Sequence, residues 1–164
     1  MRSYLFVPAD SERKLEKAPT SGADCLLIDL EDSVSYKRKE LARTMAADFL
    51  RNADRGRAAP RLIVRVNSLD SDLTADDLEA VVGAAPHGIL LPKSGGGADV
   101  QHLATMLSAR EAEADIEEGS IRIHALISET AAGVLSLEGQ MIDRPHLTQA
   151  ERVLTRARAA GLIE

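Results

Sequence analysis

The chain has 164 residues, 45% of them hydrophobic and 28% charged, which fits one domain with a core of useful size. Against 26 Asp and Glu stand 20 Lys and Arg with no basic block, which excludes a broad nucleic-acid surface. With two Phe, two Tyr and no Trp, the core must be built from Leu, Ile, Val and Ala, so layered helices and parallel strands are favoured over an aromatic-rich sandwich.

The first predicted element is a strand over 3–9, ended by Pro8. Its N-terminal residues have neither the apolar length nor the cleavage pattern of a signal peptide, and no membrane span is expected. Asp10 or Ser11 is placed to cap the next helix, and Gly22 to close it. Residues 25–30 read as a buried strand. Its Cys25, the single cysteine, cannot form an internal disulfide, reads as a buried structural thiol and suits a reducing cytoplasm. A helix over 36–53 follows, with Leu41, Met45 and Phe49 four apart on one face.

The third strand covers 62–66. A helix over 74–83 takes Thr74 as its cap and carries Asp76 and Asp77 in its first turn. The fourth strand is 88–91, and the helix over 99–115 turns Val100, Leu103 and Leu107 inward. The fifth strand spans 121–127. Leu147, Ala150, Leu154 and Ala157 mark a last helix entered through Pro145. Strands alternating with helices imply right-handed crossovers and a parallel α/β sheet.

In such a sheet, ligand-binding groups gather where the strands end. Those ends are Asp29-Leu30-Glu31-Asp32, Arg65-Val66-Asn67, Pro92-Lys93-Ser94 and Ser128-Glu129-Thr130. A hard cation such as Mg²⁺ takes one or two carboxylates and completes its shell with water and substrate oxygens. Glu129 offers such an oxygen, and Glu31 or Asp32 can hold a metal-bound water. Arg65 presents a fork that matches a substrate carboxylate. Each also has a plainer reading: Asp32 as a helix cap, Arg65 as half of an ion pair, Glu129 as the partner of a helix dipole.

The motifs Arg2-Ser3-Tyr4-Leu5-Phe6-Val7-Pro8-Ala9 and Ile28-Asp29-Leu30-Glu31-Asp32-Ser33-Val34, with Lys39 and Ala42-Arg43 after them, begin an ordered series. Arg65-Val66-Asn67, Leu91-Pro92-Lys93 and Ile127-Ser128-Glu129-Thr130 continue it. Together they resemble the citrate lyase beta-subunit and malyl-CoA lyase family over 2–137, and Gln140-Met141-Ile142-Asp143-Arg144-Pro145 is similar to its C-terminal segment. The resemblance implies a TIM-barrel-type fold over 1–137 and a lid-like segment with its helix over 138–164.

It also implies a Mg²⁺-dependent carbon–carbon lyase acting on a citryl-, malyl- or citramalyl-CoA-type thioester and releasing a 2-oxo acid. Glu129 matches the metal ligand, Arg65 the carboxylate-binding arginine, Glu31 and Asp32 the acidic pair near the metal water, and Asp143 the acid/base aspartate. Asp143 also reads as an N-cap before Pro145. Arg2 and Lys14 are candidates for CoA phosphates. A homo-oligomer in the cytoplasm is expected, with no nucleic-acid or membrane partner.

The family's second metal-binding aspartate has no counterpart, because Leu135-Ser136-Leu137 leads almost directly to Gln140-Met141. A full barrel takes about 250 residues, so this sequence carries about five βα units and lacks about three. Such an incomplete barrel would expose its edges and aggregate, dimerise through its open side or rearrange into an open sheet. A non-catalytic interaction module and a thioester hydrolase are therefore alternatives to the lyase. Gly95-Gly96-Gly97 lacks the Gly-Lys-Ser/Thr ending of a phosphate loop and reads as a connection. His87, His102, His124 and His146 show no zinc spacing, Ser128 lies outside a nucleophile elbow, and Lys93 reads as an ion-pair partner.

Overall fold

The computed structural model describes residues 2–126 and the backbone of two short strands, Leu135–Leu137 and Gln140–Ile142. Five strands form one sheet: β1 (Tyr4–Pro8), β2 (Cys25–Asp29), β3 (Arg61–Arg65), β4 (Gly88–Leu91) and β5 (Arg122–Ala125). Their spatial order is the chain order, and every neighbouring pair is parallel. The helices between them are α1 (Glu12–Lys17), α2 (Lys39–Asn52), α3 (Thr74–Val81) and α4 (Gly97–Glu113). Short 3₁₀ turns extend α1 at Ala18–Ser21 and α3 at Val82–Ala84.

Period-two alternation divides each strand between two environments. Leu26, Ile28, Leu30, Leu62, Val64, Ile89 and Leu91 join one core with Leu15, Ala42, Ala46, Leu50, Leu78, Leu103 and Leu107 of the helices. Cys25, Leu27, Ile63 and Leu90 form a second cluster on the opposite face, which receives none of the buried helical side chains. Sequential strand order with helices on one face is the wall of a (β/α) barrel rather than a doubly wound sheet. The wall is partial. Its edge strand β1 exposes Tyr4, Leu5 and Phe6, as an open barrel should.

Several local expectations need correction. The helix expected from residue 36 starts with a 3₁₀ turn at Tyr36–Arg38, and α2 proper begins at Lys39. Its buried stripe is Ala42, Ala46 and Leu50. Met45 and Phe49 pack at its margin, while Leu41 faces solvent. Ala42 and Ala46 hold inward positions with Leu50 in the core shared with the strands. Thr74 does not cap α3. Its hydroxyl donates to the carbonyls of Asn67 and Ser68 at 3.1 and 2.9 Å, and Leu73 occupies the cap position. Ser11 stands at the N-cap of α1 without a side-chain bond. The pairing of Leu135–Leu137 with Gln140–Ile142 is antiparallel and had no sequence signal. The expected last helix lies outside the described residues.

Two buried groups fix the outer strands. Glu111 of α4 accepts the Gly119 and Ile121 N–H groups at 2.8 and 2.9 Å, which sets the entry to β5. A Cβ on Gly88 would lie 2.7 Å from the Arg122 carbonyl and 3.0 Å from the His124 ring, so glycine lets β4 and β5 approach.

Candidate functional site

The rim at the C-terminal ends of β2, β3 and β4 carries a compact charge cluster. Asp29, the last residue of β2, lies in register with Arg65, the last of β3. Arg65 donates through Nε and Nη2 to the two oxygens of Asp29, each at 2.7 Å. The same carboxylate accepts the N–H groups of Glu31 and Ser33 at 2.9 and 3.2 Å. Burial opposes the Asp29 charge, but the Arg65 and Ser33 hydrogen bonds with that of the Glu31 amide hold its carboxyl below the usual range. Burial likewise works against the Arg65 cation, and the bonds and charge of Asp29 outweigh it. Beneath the guanidinium, the Phe6 ring centroid is 4.7 Å from Cζ.

The remaining guanidinium nitrogen, Nη1, faces outward to Glu31 Oε2 at 2.9 Å and Asp32 Oδ2 at 3.5 Å. Across the cluster, Lys93 Nζ lies 3.0 Å from Glu31 Oε1 and 3.7 Å from Asp32 Oδ1. Lys93 is thus an ion-pair partner at the head of β4, held at φ 52°. Glu31 is buried between these two cations, yet neither of its oxygens has a hydrogen-bond partner among the described residues. Both oxygens are nonetheless taken up in ion pairs, with Arg65 at 2.9 Å and Lys93 at 3.0 Å. Burial pushes its carboxyl above the ordinary value; Lys93 and Arg65 oppose the shift and Asp32 adds to it.

Behind the rim lies a buried polar relay. Lys39 donates to the carbonyls of Leu30 and Glu31 and to Asn67 Oδ1, at 2.6, 2.8 and 2.7 Å. Asp77, fully buried, accepts from the Asn67 backbone and side chain at 2.7 Å each and from Arg43 Nε at 2.8 Å. Asp77 therefore closes this relay, while Asp76 alone is the exposed acid of the first turn.

The structure brings together Glu31, Asp32 and Arg65 and adds Asp29 and Lys93 to them. Asp32 does not cap α2, whose N-cap is Arg38. Arg2 lies beyond the opposite, N-terminal end of β1, beside Asp24 at 3.8 Å. Lys14 belongs to the helical layer, on a groove of about 320 Å³ with Leu5, Phe6, Val7 and Ala18. Glu129 and Asp143 lie outside the described residues. Another groove, of about 630 Å³ between α1 and α2, holds none of the rim residues, so the convergent charges and not cavity size locate the site. The Gly95 N–H is taken by Asp99 at 2.6 Å, an acid where a phosphate would have to sit.

The described residues contain no group of three His, Cys, Asp or Glu side chains able to hold a metal. Magnesium does not need one, since it leans on one or two carboxylates and keeps its water. The buried Glu31 carboxylate, held between two cations, fits that demand, directly or through a water.

Residues 2–147 match the profile described as HpcH/HpaI aldolase/citrate lyase. A (3S)-malyl-CoA thioesterase from Cereibacter sphaeroides is 41% identical over 106 residues, 65% of this chain and 36% of its own. The citrate lyase subunit beta of Leuconostoc mesenteroides is 33% identical over 135 residues, 82% of this chain and 44% of its own. The chain thus spans less than half the length of these relatives. Among solved structures, the citrate lyase beta subunit of M. tuberculosis complexed with oxaloacetate and magnesium superposes with a TM-score of 0.55 at 29% identity, covering 79% of this chain and 59% of that one.

Proposed function

The chain belongs to the HpcH/HpaI aldolase/citrate lyase family, and from that premise we propose that its rim serves a Mg²⁺-dependent carbon–carbon lyase acting on a citryl-, malyl- or citramalyl-CoA-type thioester. The observation that carries this reading is Glu31: a buried carboxylate between Arg65 and Lys93 whose oxygens have no hydrogen-bond donor among the described residues. A buried carboxylate held by ion pairs keeps hydrogen-bonding capacity that a ligand or its water can complete.

In this reading Arg65 presents Nη1 to the carboxylate of the 2-oxo acid unit, while Asp29 fixes the plane of the guanidinium. Glu31 and Asp32 orient a water at the ion, and Glu129, three residues past Leu126, supplies a direct ligand. Bound magnesium would supply Lewis-acid polarisation of the substrate oxygens. Asp143, on the segment 138–164 proposed as a lid, returns the proton to the departing acyl unit. Arg2 and Lys14 are the candidates for the CoA phosphates, Lys14 from the outer helical layer. Self-association through the open β1 edge and cytoplasmic residence belong to the same proposal; no helix among the described residues is long and apolar enough to cross a membrane.

Thioester hydrolysis is the second reading, favoured by the 41% identity to a malyl-CoA thioesterase. Thermal unfolding with and without Mg²⁺ plus pyruvate tests the binding half, since a native-state ligand at a hundredfold excess over Kd stabilises by about 2.7 kcal/mol. Product analysis with malyl-CoA separates the two chemistries: the lyase gives acetyl-CoA and glyoxylate, the hydrolase malate and free CoA. An unshifted transition with neither product set would sink both and leave a non-catalytic interaction module.

A further inference from the structure

We propose that Lys39 is a positioning residue for the rim, its buried ammonium holding the turn after β2 so that the Glu31 carboxylate stays aimed between Arg65 and Lys93. The inference rests on the reading of that rim as a magnesium and 2-oxo acid site.

An ammonium has three protons to donate, and Lys39 uses all of them, on Leu30 O, Glu31 O and Asn67 Oδ1. The Asn67 amide is fixed in orientation by the same contacts. Its oxygen faces the ammonium, and its nitrogen donates to Leu30 O at 3.1 Å and Asp77 Oδ2 at 2.7 Å. A flipped amide would set donor against donor at Lys39 and acceptor against acceptor at Asp77. Arg43 then anchors Asp77 through Nε and reaches Asp76 at 3.2 Å and the Leu73 carbonyl at 3.3 Å. The relay thereby ties α2 and α3 to the exits of β2 and β3.

Its effect converges on one residue. The Glu31 N–H is held by Asp29 and its carbonyl by Lys39, so both backbone polar groups are fixed. The side-chain oxygens alone lack a hydrogen-bond partner among the described residues. Holding a residue by its backbone while its carboxylate is aimed between two cations is what a preorganised ligand site requires. A buried charge is a costly way to fill space that an apolar side chain of equal length could fill. The ammonium is therefore explained by the carbonyls it directs.

The test uses Lys39→Met, which keeps the stem and removes the ammonium. Two readouts are followed: the affinity for Mg²⁺ with pyruvate by calorimetry, and hydrogen exchange of the Glu31 amide against that of Leu27. The expected result is a cooperatively folded variant with affinity roughly 10- to 100-fold weaker, as for lost outer-shell partners, and faster exchange at Glu31 but not at Leu27. In Lys39→Ala, ethylammonium should restore part of the affinity where potassium at equal ionic strength does not, an effect that mere loss of packing would not give. Unchanged affinity and exchange in folded Lys39→Met overturn the proposal. If the unsubstituted chain binds no Mg²⁺ and pyruvate while Glu31 exchange still responds, the positioning stands and the reading of the rim fails. Should Lys39→Met not fold, Arg43→Lys at the far end of the relay must move Glu31 exchange in the same direction, and no movement overturns the proposal.

Discussion

Arg65 divides its guanidinium between two tasks: Nε and Nη2 are committed to Asp29 at 2.7 Å each, and Nη1 alone is turned to the rim. The fork that looked available for a substrate carboxylate is largely spent on its own neighbour. What remains is a single directed donor on a cation whose plane is locked from below by Phe6 and from the side by Asp29.

Asp29→Asn should therefore cost more than a surface pair. Removing one partner of a buried ion pair typically costs about 3–5 kcal/mol, because the other charge is left uncompensated. Urea unfolding at pH 7 checks this. The Asp29 carboxyl is depressed in the folded state, so its contribution is present above the unfolded value near 3.8 and is lost as pH falls through the lower folded value. The variant should show a flatter acid limb.

Glu31→Gln should go the other way. The folded carboxyl is raised above 4.5, so the folded state binds the proton more tightly, and the penalty grows as pH rises from 4.5 through the folded value. At pH 7 the variant should unfold at the same or a higher temperature while losing its response to Mg²⁺ with pyruvate. A thermal scan of both chains decides it, and a marked loss of stability would contradict the assignment.

His87 gives a second pH window. Its Nδ1 accepts the Leu62 N–H at 3.0 Å, and burial with the nearby Arg55 and Arg61 lowers its pKa below 6.5. Stability held above pH 6.5 should drain as pH falls through the lower folded value. Comparing denaturant midpoints between pH 7.5 and 5 should show a slope that His87→Asn reduces.

Gly88→Ala should overpack the β4–β5 contact, where the new methyl would meet the Arg122 carbonyl at 2.7 Å. Backbone cannot give way cheaply, and the cost expected for overpacking is about 1–3 kcal/mol. Denaturant unfolding measures it.

The strands were legible because each is a short apolar run between turn residues. β4 was read to its ends, and β2 and β3 to within one residue. The rim was legible too, since parallel strands gather their exits on one side. Asp29 was passed over in favour of Glu31 and Asp32, although a signal existed. Asp29 has the parity of Cys25 and Leu27, and in parallel register that parity faces Arg65. Asp77 and Glu111 gave no such sign. An acid on a helix looks the same in sequence whether it meets water or a distant backbone N–H, and only tertiary contact tells them apart. Lys39 was visible as part of a motif, but its three acceptors come from two strand exits, a convergence no local pattern encodes.

Cys25 lies fully buried at the start of β2 on the inner face of the sheet, and burial pushes its thiol up to about 11. A thiol reagent needs the exposed thiolate, so in the closed sheet it finds neither access nor charge. Labelling must then wait for the Leu27–Ile63–Leu90 layer to part. The lone cysteine thus acts as a clock for the open side of the barrel: its modification rate counts how often that layer breathes, and a ligand bridging the strand exits should slow it.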